Sequence, residues 1–218
     1  MKDTITAVLF DMDGLVLDTE KLYTRFWQEA ARACGYPMTK EQALGMRSLN
    51  RGAGLAKMQS YFGPEVDYDF IRQKRIERMD AFVEKEGVTL KPGIHELLAF
   101  LKERGIKTAI ATSSPIERTV LYLNSVGLQN SFDELVSGYM VEKGKPEPDI
   151  YLYAAKKLGA EPRNCMVLED SPAGILAAHR AGCVPVMIPD QDEPDEETGK
   201  LLYAKAESLA AVISLLNE

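Results

Sequence analysis

An α/β protein with a doubly wound parallel sheet, interrupted by an inserted all-helical domain, is what this 218-residue chain predicts, and three observations carry the expectation. Thr6–Phe10 is a short, uninterrupted apolar run, as expected of a strand buried on both faces. After Gly87, strand-like and helix-like segments alternate, which is the pattern of βαβ units and a Rossmann-like parallel sheet. Between the two lies a block of about seventy residues whose apolar spacing is helical throughout.

Taken in order, the first strand ends at once in Asp11-Met12-Asp13-Gly14. Asp18-Thr19-Glu20 opens a helix whose Leu22, Tyr23, Phe26, Trp27, Ala30 and Cys34 fall at helical spacing, and Gly35 and Pro37 stop it. Thr39 starts a short helix, Asn50 or Arg51 begins another that reaches Phe62-Gly63-Pro64, and Asp69–Glu86 reads as a third. These segments form a small bundle, and its aromatics belong to its core. Pro92-Gly93 then begins a helix ending at Gly105, followed by a strand over Lys107–Ala111 that closes in Thr112-Ser113-Ser114-Pro115. A helix through Leu121-Tyr122 ends at Gly127, and Glu134–Ser137 is a short strand. Lys143–Asp149 precedes a helix to Leu158-Gly159, and the strand Cys165–Leu168 runs into Glu169-Asp170. A helix over Pro172–Ala181, a strand over Val184–Ile188, an acidic loop from Asp190 to Glu197 and a helix capped by Ser208 complete the chain. The domains expected are a core of residues 1–14 and 88–218 and a helical cap of 15–87.

Composition narrows the function. A net charge of −7 and a pI near 5.1 argue against a nucleic-acid surface, which needs clustered Lys and Arg. No apolar run is long enough to cross a membrane, and Asp11 and Asp13 break the first apolar stretch in a way a secretory signal does not tolerate. The three cysteines, Cys34, Cys165 and Cys183, have no metal-type spacing and read as reduced thiols. A cytoplasmic monomer with no nucleic-acid or membrane partner is expected. Gly52-Ala53-Gly54 does not make a dinucleotide fingerprint, and His95 and His179 are bland helix positions.

The chemistry gathers at strand ends. Two acids one residue apart at the mouth of an apolar strand repel, and a cation would relieve them; otherwise the segment is a solvated Asp-Gly turn. Mg²⁺ suits carboxylate and carbonyl oxygens and binds phosphates. Glu169-Asp170 repeats the same conflict after Val167-Leu168. Thr112 and the amides after it could hold phosphate oxygens or simply cap a helix. Lys145, in a loop stiffened by Gly and Pro, could set a point charge against a phosphoryl group or face solvent.

In that order and spacing, Asp11-Met12-Asp13-Gly14, Thr112, Lys145 and Glu169-Asp170 resemble the four motifs of the haloacid-dehalogenase superfamily. The helical insertion, the stretch Asp13–Glu20, the stretch Lys143–Tyr151 and Leu168–Gly174 resemble its β-phosphoglucomutase and pseudouridine-5′-phosphatase-like branch. The resemblance implies a Mg²⁺-dependent phosphatase acting on a small phosphorylated metabolite, a sugar or nucleoside monophosphate. It implies Asp11 as nucleophile, Asp13 as acid and base, and Thr112, the Ser113 amide and Lys145 as holders of the phosphoryl group. It also implies a metal held by Asp11, the backbone carbonyl of Asp13 and Asp170, with Glu169 a ligand or just behind one. The presence of Asp13 argues for phosphate transfer over dehalogenation, whose halide needs no proton.

Two alternatives stay open. A phosphosugar mutase of the β-phosphoglucomutase type would grip a second phosphate after Thr112; here Ser114 is followed by Pro115-Ile116-Glu117, which cannot make those contacts. A receiver-like switch would hold a long-lived aspartyl phosphate, but it is shorter and lacks a helical insertion. The cap is expected to close over the site by swinging on Gly14-Leu15-Val16 and Glu86-Gly87-Val88, with Ser114, Glu20, Tyr23 and Arg47 as substrate-side candidates.

Overall fold

The structure is a computed structural model that describes residues 5–46, 49, 51–190 and 193–217. Two compact units form, one of Met1–Leu17 with Thr89–Glu218 and the other of Asp18–Val88.

The first unit is a six-stranded, all-parallel sheet in the order β3-β2-β1-β4-β5-β6. Its strands are β1 (Ala7–Phe10), β2 (Lys107–Thr112), β3 (Glu134–Ser137), β4 (Cys165–Glu169), β5 (Val184–Met187) and β6 (Ala204–Lys205). Every residue of β1 and β4 is buried, as central strands of a parallel sheet require. The helices are α5 (Ile94–Glu103), α6 (Ile116–Ser125), α7 (Asp149–Leu158), α8 (Pro172–Arg180), α9 (Glu196–Leu201) and α10 (Val212–Asn217). Ile150, Tyr151, Ala154, Ala155 and Leu158 of α7 join Ala177 and Ala178 of α8 over Leu9, Ala109, Val136 and Val167 in one apolar layer.

The second unit holds α1 (Glu20–Ala33), α2 (Lys40–Leu44), α3 (Arg51–Phe62) and α4 (Tyr68–Glu86). Trp27, Ala30, Ala31, Met58, Tyr68 and Ile71 form its core, with Trp27 stacked on Tyr68 at 6.0 Å between ring centroids. Thr39 caps α2 through a full capping box with Gln42. Trp27 and Tyr68 are therefore core, with Tyr36, Tyr61 and Phe62 half-buried against them, whereas Phe70 on α4 is exposed.

Four local expectations change. Leu15–Leu17 stay with the first unit, because the chain doubles back after β1: Val16 and Leu17 N–H groups donate to Met12 O, and Leu17 bridges to Asp13 and Leu90. Helix α4 starts at Tyr68, one residue before the expected Asp69, since the Asp67 carboxylate accepts from Phe70 N–H. The acidic loop shelters a helix, for Asp195 caps α9 by accepting from Thr198 N–H at 2.8 Å. Ser208 caps only a turn, through Ala211 N–H, and α10 begins at Val212. The edge strand β6 has two residues and no apolar run, so nothing in its pattern announces it.

Cys34, Cys165 and Cys183 are free thiols, the latter two buried, and burial pushes Cys165 up to about 11 and Cys183 to about 12. His95 and His179 are exposed on α5 and α8. No described helix is long and apolar enough to cross a membrane.

Candidate active site

The site follows from the strand order. From β1 the chain proceeds to β2 on one side of it, while β4 lies on the other, so the connections diverge and leave a crevice at the carboxyl ends of β1 and β4. The register pairs Phe10 with Leu168, which makes Asp11 and Glu169 the next residues on adjacent strands. Asp11 N–H donates to Leu168 O at 3.0 Å and holds that alignment one step past the end of β1.

Two glycines make room for Glu169, the last residue of β4, and Asp170 just after it. Gly14 has φ of +86°, and a Cβ there would overlap Asp170 Oδ2. Gly174, in the first turns of α8, lies so close to Glu169 that a Cβ would overlap its carboxylate. Gly174→Ala is therefore expected to displace Glu169 and cost about 1–3 kcal/mol by overpacking. Thermal unfolding of the variant beside the parent checks this; an unchanged midpoint would contradict the contact.

Lys145 is the hub. Its Nζ donates to Asp11 Oδ1 at 2.5 Å, Glu169 Oε1 at 2.6 Å and Ala111 O at 3.0 Å, and its side chain is 8% exposed. The remaining capacity of Glu169 is also used. Tyr151 OH donates to Oε1 at 2.7 Å, while Asp170 N–H, Ser171 N–H and Ser171 Oγ donate to Oε2 at 3.1, 3.2 and 2.9 Å. Ser171 Oγ also accepts from Gly174 N–H, so the residue that caps α8 also braces the acid.

The electrostatics separate the two neighbouring acids. Burial drives the Asp11 carboxyl up to about 7, with Glu169 and Asp13 adding to the rise and Lys145 opposing it. Burial pushes Glu169 the same way, but Lys145 and the hydrogen bonds from Lys145, Tyr151 and Ser171 prevail and hold it below its ordinary range. Burial pushes the Lys145 ammonium down, but Asp11 and Glu169 outweigh it and raise the group well above its ordinary value. The two neighbouring acids are thus driven in opposite directions, Glu169 toward its ionised form and Asp11 toward its protonated one.

Asp11, Glu169 and Asp170 each offer one carboxylate oxygen, and these atoms lie within 4.8 Å of one another. Hard oxygens at that spacing fit a divalent cation such as Mg²⁺. The side chain of Asp13 is not in that group; its Oδ2 accepts from Ser114 Oγ at 3.0 Å. Ser114, expected on the phosphate, is thus engaged with Asp13, and its carbonyl accepts from Ser137 Oγ at 2.7 Å. Thr112 is buried as the last residue of β2, and its Oγ1 accepts from Ser114 N–H at 3.1 Å; Ser113 beside it is exposed.

The remaining candidates lie in the second unit. Glu20 begins α1, and Tyr23 on the same helix has the Arg75 guanidinium 4.8 Å from its ring centroid. Arg47 lies outside the described residues. Sequence reasoning missed Tyr151, whose only signal is a polar-tipped aromatic on an otherwise apolar helix face six residues after Lys145.

Comparison with known proteins agrees with this arrangement. Residues 5–182 match the family model of haloacid dehalogenase-like hydrolases. The chain is 34% identical over 176 residues to the phosphorylated carbohydrates phosphatase of Thermotoga maritima, covering 81% of each chain. It is 30% identical to the β-phosphoglucomutase of Bacillus subtilis, covering 81% of this chain and 80% of that one. Among solved structures, CbbY from Rhodobacter sphaeroides in complex with phosphate superposes with a TM-score of 0.81 at 28% identity, over 96% of both chains. With its acids and lysine at the crevice of a 3-2-1-4-5-6 sheet, the chain belongs to the haloacid dehalogenase-like hydrolases.

Proposed function

We propose that the protein is a Mg²⁺-dependent phosphatase that hydrolyses a sugar or nucleoside monophosphate through an aspartyl phosphate on Asp11. The observation that carries this reading is the single ammonium of Lys145 bonded to both Asp11 and Glu169, beside Asp170, at the strand crevice. A carboxylate nucleophile needs its charge controlled until phosphorus arrives, and a phosphoryl group needs positive charge on its equatorial oxygens.

In the first step an Asp11 carboxylate oxygen bonds to phosphorus as the ester P–O bond breaks, and Asp13 gives its proton to the departing oxygen. In the second, Asp13 takes a proton from water as that water attacks phosphorus, releasing inorganic phosphate and restoring Asp11. Ser114 orients Asp13 for both transfers through its hydroxyl. Lys145 and Thr112 hold the phosphoryl oxygens. Asp11, Asp170 and the Asp13 carbonyl would hold Mg²⁺, which when bound supplies charge neutralisation on the phosphoryl group. Glu169 acts from behind this set, because five donors already occupy its two oxygens.

Hydrolysis is favoured over a phosphosugar mutase by Pro115-Ile116-Glu117. Pro115 has no N–H to offer a second phosphate, and Glu117 in the first turn of α6 would repel one. The test is a panel of phosphorylated metabolites assayed with Mg²⁺ and with EDTA. Multiple-turnover release of inorganic phosphate, lost in EDTA and restored by Mg²⁺, is expected, without conversion of β-glucose 1-phosphate to glucose 6-phosphate. Efficient isomerisation would overturn the choice, and a stable phosphoprotein without turnover would favour a switch.

The raised carboxyl of Asp11 adds a pH prediction. Below about 7 a cation must displace its proton. Calorimetric Mg²⁺ affinity is expected to weaken by about tenfold per pH unit between pH 7 and 5, with proton release. Affinity independent of pH across that range would contradict Asp11 as a ligand.

A further inference from the structure

Tyr151 stands on the face of α7 that builds the core, among Ile150, Ala154, Ala155 and Leu158, and it is fully buried. Packing alone would be met by phenylalanine, and a buried hydroxyl is costly unless it is bonded. Here the hydroxyl donates to Glu169 Oε1 at 2.7 Å, the same oxygen that accepts from Lys145 Nζ at 2.6 Å. The Lys145 ammonium also lies 5.1 Å from the centroid of the Tyr151 ring, within reach of its negative face. One side chain therefore touches both partners of the ion pair that faces the nucleophile.

The division of labour around Glu169 gives this contact a purpose. Its Oε2 is fixed by three donors from Asp170 and Ser171, just before α8, whereas among the described residues Oε1 is held by Lys145 and Tyr151 alone. Lys145 must lean toward Asp11 at 2.5 Å, so a second, rigid donor is what keeps Oε1 at a set distance from the ammonium. Tyr151 is suited to that task, since a tyrosine locked in a core has no rotamer freedom to lose.

We propose that Tyr151 is a positioning residue for phosphoryl transfer: through Glu169 and the face of its ring, it holds Lys145 against Asp11. The inference rests on the phosphatase reading above for its catalytic consequence, but its geometric content is independent. Tyr151→Phe removes the hydroxyl and keeps the ring and the core volume. On the best substrate from the panel, kcat is expected to fall about tenfold with KM within about twofold. In the Glu169→Gln background the same change is expected to add no further loss, because its route is gone.

A crystal structure of Tyr151→Phe supplies a readout that does not depend on turnover. Lys145 Nζ is expected to lose hydrogen-bond distance to Asp11 or to Glu169. A variant with kcat within twofold of the parent and Lys145 unmoved overturns the proposal, as does a full additional loss in the Glu169→Gln background. If the parent releases phosphate from no ester, the phosphatase reading fails by itself, and the position of Lys145 in the variant still decides the positioning role. Tyr151→Leu, which removes the ring as well, is expected to lose more; should it fail to fold, Tyr151→Phe carries the test.

Discussion

Asp11→Asn is expected to reduce turnover by about 10⁴-fold or more, since an amide can neither attack phosphorus nor be regenerated by hydrolysis. The same change is expected to stabilise the cation-free protein above neutral pH. Asp11 titrates at about 7 in the folded chain, raised from 3.8. A group raised in this way supports the fold fully below its unfolded value and loses that support as pH rises through the folded one. Asn is neutral at every pH and close in shape, so it escapes the loss. Thermal unfolding in EDTA should place the variant a few degrees above the parent at pH 8, with the gap closing toward pH 4. Substantial residual phosphate release by the variant would falsify the assignment of Asp11 as nucleophile. A variant less stable than the parent at pH 8 would instead show that the bond to Lys145 outweighs the burial of the charge.

Lys145→Ala is the second large effect. On the proposed phosphatase reading it removes the cation set against the phosphoryl group, worth about 10²–10³ in kcat for a single preorganised electrostatic partner. It also strands Asp11 and Glu169 side by side with no lysine between them. Removing one member of a buried ion pair costs about 3–5 kcal/mol, because the abandoned charge stays behind. The sign of the pH dependence follows: without Lys145 both acids bind protons more readily in the folded state, so the loss should be worst at high pH and shrink as pH falls. Added Mg²⁺ should recover part of the midpoint by substituting charge for charge. Chemical denaturation at pH 5 and pH 8, with and without Mg²⁺, reads all of this. A loss of stability that does not vary with pH would point to packing of the lysine stem in place of its charge.

Much of the architecture could be read directly because parallel strands and acids are incompatible neighbours in sequence. Runs such as Val8-Leu9-Phe10 and Met166-Val167-Leu168 must be buried, and carboxylates directly after them must be at a mouth. Lys145 was legible as a candidate from its stiff loop, though its two acceptors were not. What stayed hidden depends on contacts between distant segments. Ser114 faces Asp13, 101 residues away, and no local pattern says which oxygen a serine at a strand end will meet. Tyr151 has the spacing of a core residue because it is one, and only the third dimension brings its hydroxyl to Glu169. The edge strand β6 is missed for a different reason: two half-exposed residues carry no periodicity to detect.

Gly14 and Gly174 hold no charge, donate no side-chain bond and appear in no mechanism, yet each leaves a vacancy that an acid fills. The seat of the two carboxylates is thus defined as much by omitted atoms as by those present. Any attempt to transplant this arrangement onto another sheet would have to copy the hollows along with the acids, since a methyl group at either position would displace the carboxylate seated there.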